Sequence, residues 1–167
     1  MITGGSGLLG LNWWAARHKT DEIWLGLDKR HISVANSFNI NGGLENAIET
    51  IQPDAIIHAA AMTDVDGCEV NEKDALRINR DLAKHYARIT HNRGLPFIHI
   101  STDHLFDGRQ AMLDETVPCL PINAYGQSKW LGEQAVLDTH PNALILRVNF
   151  FGWGPPYRLS FSDWILN

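Results

Sequence analysis

The chain has 167 residues, of which 44% are hydrophobic and 20% charged, and a net charge of −5. That suffices for one domain with a substantial core, and the composition is ordinary for a globular protein. No basic stripe points to nucleic acid, no apolar run approaches the ~20 residues of a membrane span, and no signal peptide is legible after Met1. Cys68 and Cys119 are the only cysteines, which fits free thiols in a reducing compartment and makes the cytoplasm the expected location.

In chain order, the first expected strand is the short Ile2-Thr3, followed at once by Thr3-Gly4-Gly5-Ser6-Gly7-Leu8-Leu9-Gly10. Gly4 permits a tight strand-to-helix turn, Gly7 lets a pyrophosphate approach bare backbone, and Gly10 lets a helix lie against its strand. The helix expected over Leu8–His18 would aim its unpaired N–H groups at that anion. The next strand, Ile23–Leu27, ends at Asp28, eighteen positions after Gly10, where a dinucleotide fold places its ribose-binding carboxylate. Asp28 argues for NAD, because a carboxylate pairs with a ribose 2′-hydroxyl and repels a 2′-phosphate. Lys29 and Arg30 would neutralise such a phosphate, so NADP stays open.

Further strands are expected at Ala55–His58, Phe97–Ile100 and Leu144–Val148, and helices at Leu44–Ile51, Glu69–Arg93 and Ala124–Thr139. Within the long helix, Ala75, Ile78, Leu82, Tyr86 and Ile89 step by three or four and form one buried stripe. Gly94-Leu95-Pro96 closes it. Strands that alternate with helices and are apolar throughout imply a parallel sheet covered on both faces by right-handed crossovers, a doubly wound α/β fold. The longest irregular stretch, Gly108–Pro121, is a candidate functional loop. Phe161–Asn167 reads as a helix that stops partway and Ile2-Thr3 as a shortened strand, so the expectation is a piece of a longer protein.

Ligands of such sheets bind beyond the carboxyl ends of the strands. Those ends carry Ala59-Ala60-Ala61, Ser101-Thr102-Asp103-His104 and Arg147-Val148-Asn149-Phe150. Tyr125 and Lys129 are four apart on one helix and so share a face. An ammonium beside a phenol favours the phenolate, and a phenol so tuned can give a proton to a carbonyl oxygen as hydride reaches the carbon. Thr102 could hold the same oxygen. His58 and His99 are expected as hydrogen-bonded core residues, and Trp13, Trp14, Trp24 and Trp130 as packing aromatics. Glu133 and Arg147 are expected to form a structural ion pair. No histidine or cysteine spacing suggests a metal.

In combination these motifs resemble an extended short-chain dehydrogenase/reductase, and within that group the dTDP-4-dehydrorhamnose reductase family. The matching pieces are Thr3–Gly10, Ile57–Asp66, Ser101–Gly108, Tyr125–Glu133 and Leu146-Arg147. The resemblance implies an NAD(P)-binding Rossmann domain over 1–167 with most of the substrate domain absent. It also implies reduction of a nucleotide-linked 4-keto-6-deoxy sugar. Tyr125 would be the proton donor, Lys129 would bind the nicotinamide ribose and tune Tyr125, and Thr102 would complete the triad. Gly4, Gly7 and Gly10, with Leu8 and Leu9, would hold the pyrophosphate, and Asp28 with Lys29 would lie at the adenosine ribose. Ala59, Ala60, Ala61, Thr63, Ser101 and Val148 would line the rest of the cofactor path. Asn79 matches a structural asparagine of the long helix.

His104 stands where the family has tyrosine, and Val148-Asn149-Phe150 replaces Thr-Ser-Trp. His104, Asn149 and Phe150 therefore mark the substrate side as altered. The resemblance also implies a homodimer formed through the two long helices. Two alternatives stand beside reduction: an epimerase or dehydratase on the same scaffold, and a non-catalytic dinucleotide-binding subunit resembling the regulatory subunit of methionine adenosyltransferase. Residues 1–167 alone are expected to bind dinucleotide weakly and not to turn over a sugar.

Overall fold

The computed structural model describes residues 1–17, 25–27, 37–39, 43–153 and 160–166. They fall into two compact units, residues 1–60 with 149–167, and residues 61–148.

In the first unit, β1 (Ile2–Thr3), β2 (Leu25–Leu27), β3 (Ser37–Asn39) and β4 (Ile56–His58) form parallel pairs in the order β3-β2-β1-β4. β3 is a strand that the residue pattern does not announce. The register places Thr3 beside His58, and both are buried. The pair satisfies itself across the strands, with Thr3 Oγ1 2.7 Å from His58 Nδ1. Buried polar groups require such partners, and His58 is the hydrogen-bonded core residue expected. α1 (Leu8–Ala16) follows the glycine turn and ends two residues before the expected His18, which itself lies outside the described residues. α2 (Leu44–Ile51) matches its expected bounds and buries Leu44, Ala47 and Ile48, one stripe at i, i+3 and i+4. α7 (Phe161–Leu166) confirms the helical reading of that segment.

In the second unit, β5 (Phe97–Thr102) pairs in parallel with β6 (Leu144–Val148). β5 runs two residues beyond the expected Ile100, so Ser101 and Thr102 are strand residues. β6 is less covered than expected of a strand hidden on both faces: Leu144 is 51% exposed. α6 (Ala124–Thr139) has its expected bounds, and Asn123 caps it by accepting the Gly126 N–H at 2.7 Å.

The expected single helix Glu69–Arg93 is instead four consecutive pieces: α3 (Val65–Val70), α4 (Glu72–Leu76), a π-helical turn (Arg77–Leu82) and α5 (Ala83–Asn92). The buried stripe moves accordingly. Ala75, Tyr86 and Ile89 are buried as expected and Asn79, Ala83 and Ala87 join them, whereas Ile78 and Leu82 are only half-buried. A π-turn winds wider than an α-helix, so residues four apart stay on one face through it. That face turns small and polar residues toward α6.

Gly132 of α6 shows how close the two helices come, because a Cβ there would collide with the carbonyl oxygen of Asn79. Asn79 is buried and fastens three segments. Its Oδ1 accepts the Met62 N–H at 2.8 Å, and its Nδ2 donates to the Met62 carbonyl at 3.0 Å and to Ser128 Oγ at 2.9 Å. No helix among the described residues is long and apolar enough to cross a membrane.

Replacing a glycine inside a helix by alanine ordinarily stabilises it by up to about 1 kcal/mol. Gly132→Ala is expected to reverse that sign and cost about 1–3 kcal/mol, because the new methyl overpacks the contact with Asn79. Urea denaturation of the variant measures it, and a gain in stability would contradict the close approach.

Candidate active site

At the carboxyl end of β1 the chain turns sharply. Gly4 has φ +69°, a region in which side chains are strained. A Cβ on Gly4 would lie 2.7 Å from the backbone N and Cα of Ala60. The loop thus hugs the end of β4, and Ala59 and Ala60, half-buried, form its other wall. The Gly7 N–H donates to the Gly4 carbonyl at 3.0 Å, which closes the turn. Gly7 stands at the N-cap of α1 and makes no side-chain cap. The first-turn N–H groups of Leu8, Leu9 and Gly10 have no acceptor within the helix and face outward along its axis. The turn is shaped to receive an anion.

Asn149 and Phe150, expected on the substrate side, belong to this first unit and are exposed. Asp28 and Lys29 lie outside the described residues.

The second unit brings together Ser101, Thr102, His104, Tyr125 and Lys129, and it also holds half-buried Ala61, exposed Thr63 and half-buried Val148. Ser101 and Thr102 end β5, both buried. Ser101 Oγ is buried with no hydrogen-bond partner among the described residues. Thr102 Oγ1 accepts the His104 N–H at 3.2 Å and donates to Asp103 Oδ1 at 3.3 Å. It thereby caps the 3₁₀ turn Asp103–Leu105, a turn that the residue pattern does not reveal. That turn sets the exposed His104 ring edge-on against Tyr125, with centroids 5.4 Å apart.

α6 contributes its polar side chains from one face. Tyr125, Lys129 and Glu133 succeed one another at i+4 spacing, and all three are buried. Lys129 Nζ donates to the Ile100 carbonyl at 2.7 Å and lies 3.5 Å from His99 Nε2. Burial pulls the Lys129 ammonium down from its usual value to about 8, against an opposing pull from Glu133. Glu133 is held by Arg147 of β6 through a forked pair: Nε to Oε1 at 3.1 Å and Nη2 to Oε2 at 2.8 Å. That is the structural ion pair expected from the sequence, and the hydrogen bonds to Glu133 raise the Arg147 pKa. Glu133 also lies close enough to act on Lys129, a role that i+4 spacing on the helix could have announced.

The family described as RmlD substrate binding domain matches residues 1–153. The chain is 46% identical over 98 residues to the probable low-salt glycan biosynthesis reductase Agl14 of Haloferax volcanii, a match covering 58% of this chain and 33% of that protein. A hypothetical dTDP-4-dehydrorhamnose reductase from Sulfolobus tokodaii shares 36% identity with a TM-score of 0.78, over 87% of this chain and 54% of the other. The dTDP-4-dehydrorhamnose reductase of Bacillus anthracis, solved in complex with NADP, shares 30% identity with a TM-score of 0.73, over 87% of this chain and 51% of the other. The match thus spans about half the length of the two solved chains and a third of the Haloferax protein. The fold is the α/β, Rossmann-type fold of these structures.

A lysine whose folded pKa is about 8, below its ordinary 10.5, costs stability wherever it is charged. The unfolded chain holds that proton between pH 8 and 10.5 and the folded one does not, so the lysine's penalty fades as pH rises through this window. Lys129→Met removes the effect. Its stability advantage over the parent protein is expected to shrink by up to about 3 kcal/mol from pH 8 to 10.5. Urea melts at a series of pH values give the difference, and a constant offset would contradict the depressed pKa.

Proposed function

This chain belongs to the RmlD substrate-binding-domain family, and we propose that it supplies the dinucleotide-binding half of an NAD(P)H-dependent reductase acting on a nucleotide-linked 4-keto-6-deoxy sugar. The observation that carries this reading is the buried Tyr125 and Lys129 on one face of α6, in the same unit as Thr102 at the end of β5. The names of its relatives support it, since two of them are called dTDP-4-dehydrorhamnose reductases.

The residues present fit a dinucleotide. In the first unit the Gly4 turn is a cradle that any Cβ would fill and the first turn of α1 has no side-chain cap; in the second, Ser101 Oγ is buried with no hydrogen-bond partner among the described residues. In this reading Gly4, Gly7, Leu8, Leu9 and Gly10 hold the pyrophosphate. Ala59, Ala60, Ala61 and Thr63 border the cofactor path, with Ser101 and Val148 nearer the nicotinamide. The bound nicotinamide supplies hydride to the sugar carbonyl carbon. Tyr125 donates its phenolic proton to the carbonyl oxygen as the negative charge develops there. Lys129 keeps the phenol acidic by stabilising the phenolate that remains. Thr102 turns its hydroxyl from Asp103 to the same oxygen. His104, Asn149 and Phe150 border the sugar and depart from the family's residues, which argues for a sugar other than the rhamnose precursor.

Between cofactors, the Asp28 carboxylate favours NAD by repelling a 2′-phosphate. Lys29 and Arg30 favour NADP, the cofactor of the Bacillus anthracis relative. Titration with both reduced forms decides, and a clear preference for NADPH would overturn the argument from Asp28.

Tyr125→Phe in the whole gene product is expected to lower turnover about 10²-fold or more while leaving cofactor affinity near that of the parent. Steady-state assays with a dTDP-linked 4-keto-6-deoxy sugar measure the first and fluorescence titration the second. Near-normal turnover would reject Tyr125 as the proton donor. Net consumption of reduced cofactor separates reduction from epimerisation or dehydration.

A further inference from the structure

Lys129 is almost wholly withdrawn from water, and an ammonium in that position keeps its charge only if acceptors replace the lost solvent. The Ile100 carbonyl takes one of its three N–H groups at 2.7 Å. The next group on β5 is His99, itself buried, with Nε2 3.5 Å from Nζ. We propose that His99 is a positioning residue, whose imidazole works with the Ile100 carbonyl to fix the Lys129 ammonium where Tyr125 needs it. The use made of Lys129 rests on the function proposed above; the placement by His99 does not.

The chemistry of the contact fixes the state of the ring. Nζ is donor-only while charged, so the nitrogen that faces it must offer a lone pair. His99 is therefore neutral, with its proton on Nδ1. A proton on Nε2 would set two donors against each other, and a charged ring would set two cations 3.5 Å apart.

The other groups around Lys129 do not replace this acceptor. Its own helix presents Tyr125 and Glu133, and Glu133 is already forked onto Arg147 of β6. The π-helical turn presents Asn79, an uncharged amide committed to Met62 and Ser128. Among the described residues, β5 contributes the acceptors at the ammonium, through residues 99 and 100. With the carbonyl alone, Nζ would be held at one point and free to swing about it. The imidazole adds a second point, and two points fix the direction of the remaining N–H.

The test reads Lys129 directly, with no cofactor and no turnover. Lysine side-chain NMR follows its titration in the parent chain, in His99→Gln, which keeps a polar acceptor, and in His99→Leu, which has none. His99→Leu is expected to lower the Lys129 midpoint by about one pH unit, a tenfold change in its acid constant, and His99→Gln to hold it within a few tenths. Equal midpoints in all three proteins would overturn the proposal. Should His99→Leu fail to fold, the imidazole nitrogen shifts of the parent decide: a lone pair on Nε2 while Lys129 is charged supports the proposal, and a proton there overturns it. Loss of the reductase reading would show instead as undiminished turnover in Tyr125→Phe, an outcome independent of these titrations.

Discussion

A cation hidden from water organises the second unit. Removing an ammonium from solvent costs several kcal/mol unless polar groups take over its hydration, and Lys129 is buried to 2%. The consequences run through the neighbouring elements. β5 must bring a backbone carbonyl, that of Ile100, and an imidazole, that of His99, to Nζ. Glu133 must stand one helical turn away to favour the charged form, and a buried carboxylate in turn needs Arg147 from β6. α6 must lie close to the π-helical turn, which Gly132 and Asn79 allow. The face of α6 that points inward is therefore Tyr125, Ser128, Lys129, Gly132 and Glu133 rather than an apolar stripe. A helix that hides its polar residues makes sense as part of a site and would be a poor choice for a core.

Much of this was legible beforehand, for identifiable reasons. The Thr3–Gly10 loop is readable because Gly4 adopts φ +69° and lies against the Ala60 backbone, and glycine is the residue type that tolerates both. α2, α6 and β6 kept their expected bounds, α2 through the stripe Leu44, Ala47 and Ile48 and α6 through the Asn123 cap, both local features. The Tyr125 and Lys129 pair followed from helical spacing alone, and the Glu133–Arg147 ion pair was expected from residue type.

Other features depend on contacts distant in the chain. The π-helical turn has no local signature here. It is understood only from the packing of Asn79 against Ser128 and Gly132 of α6, and an ideal 3.6-residue count placed part of the stripe one position away, on Ile78 and Leu82. The break at Asn71 falls inside the single helix expected over Glu69–Arg93. The β5 extension and the capping role of Thr102 arise from the 3₁₀ turn that follows, which residue composition does not encode. His99 was expected as a core histidine, and it is buried as expected. Its place beside Lys129, thirty residues away, became visible only in three dimensions.

The function proposed for this site gives Tyr125 the role of proton donor and Lys129 that of readying its phenol. The most direct measurement is the ultraviolet titration of Tyr125, isolated as the difference between the parent protein and Tyr125→Phe, and repeated in Lys129→Met. The account predicts that this phenol ionises at a lower pH in the parent than in Lys129→Met. A phenol that titrates at the same pH in both proteins would contradict it.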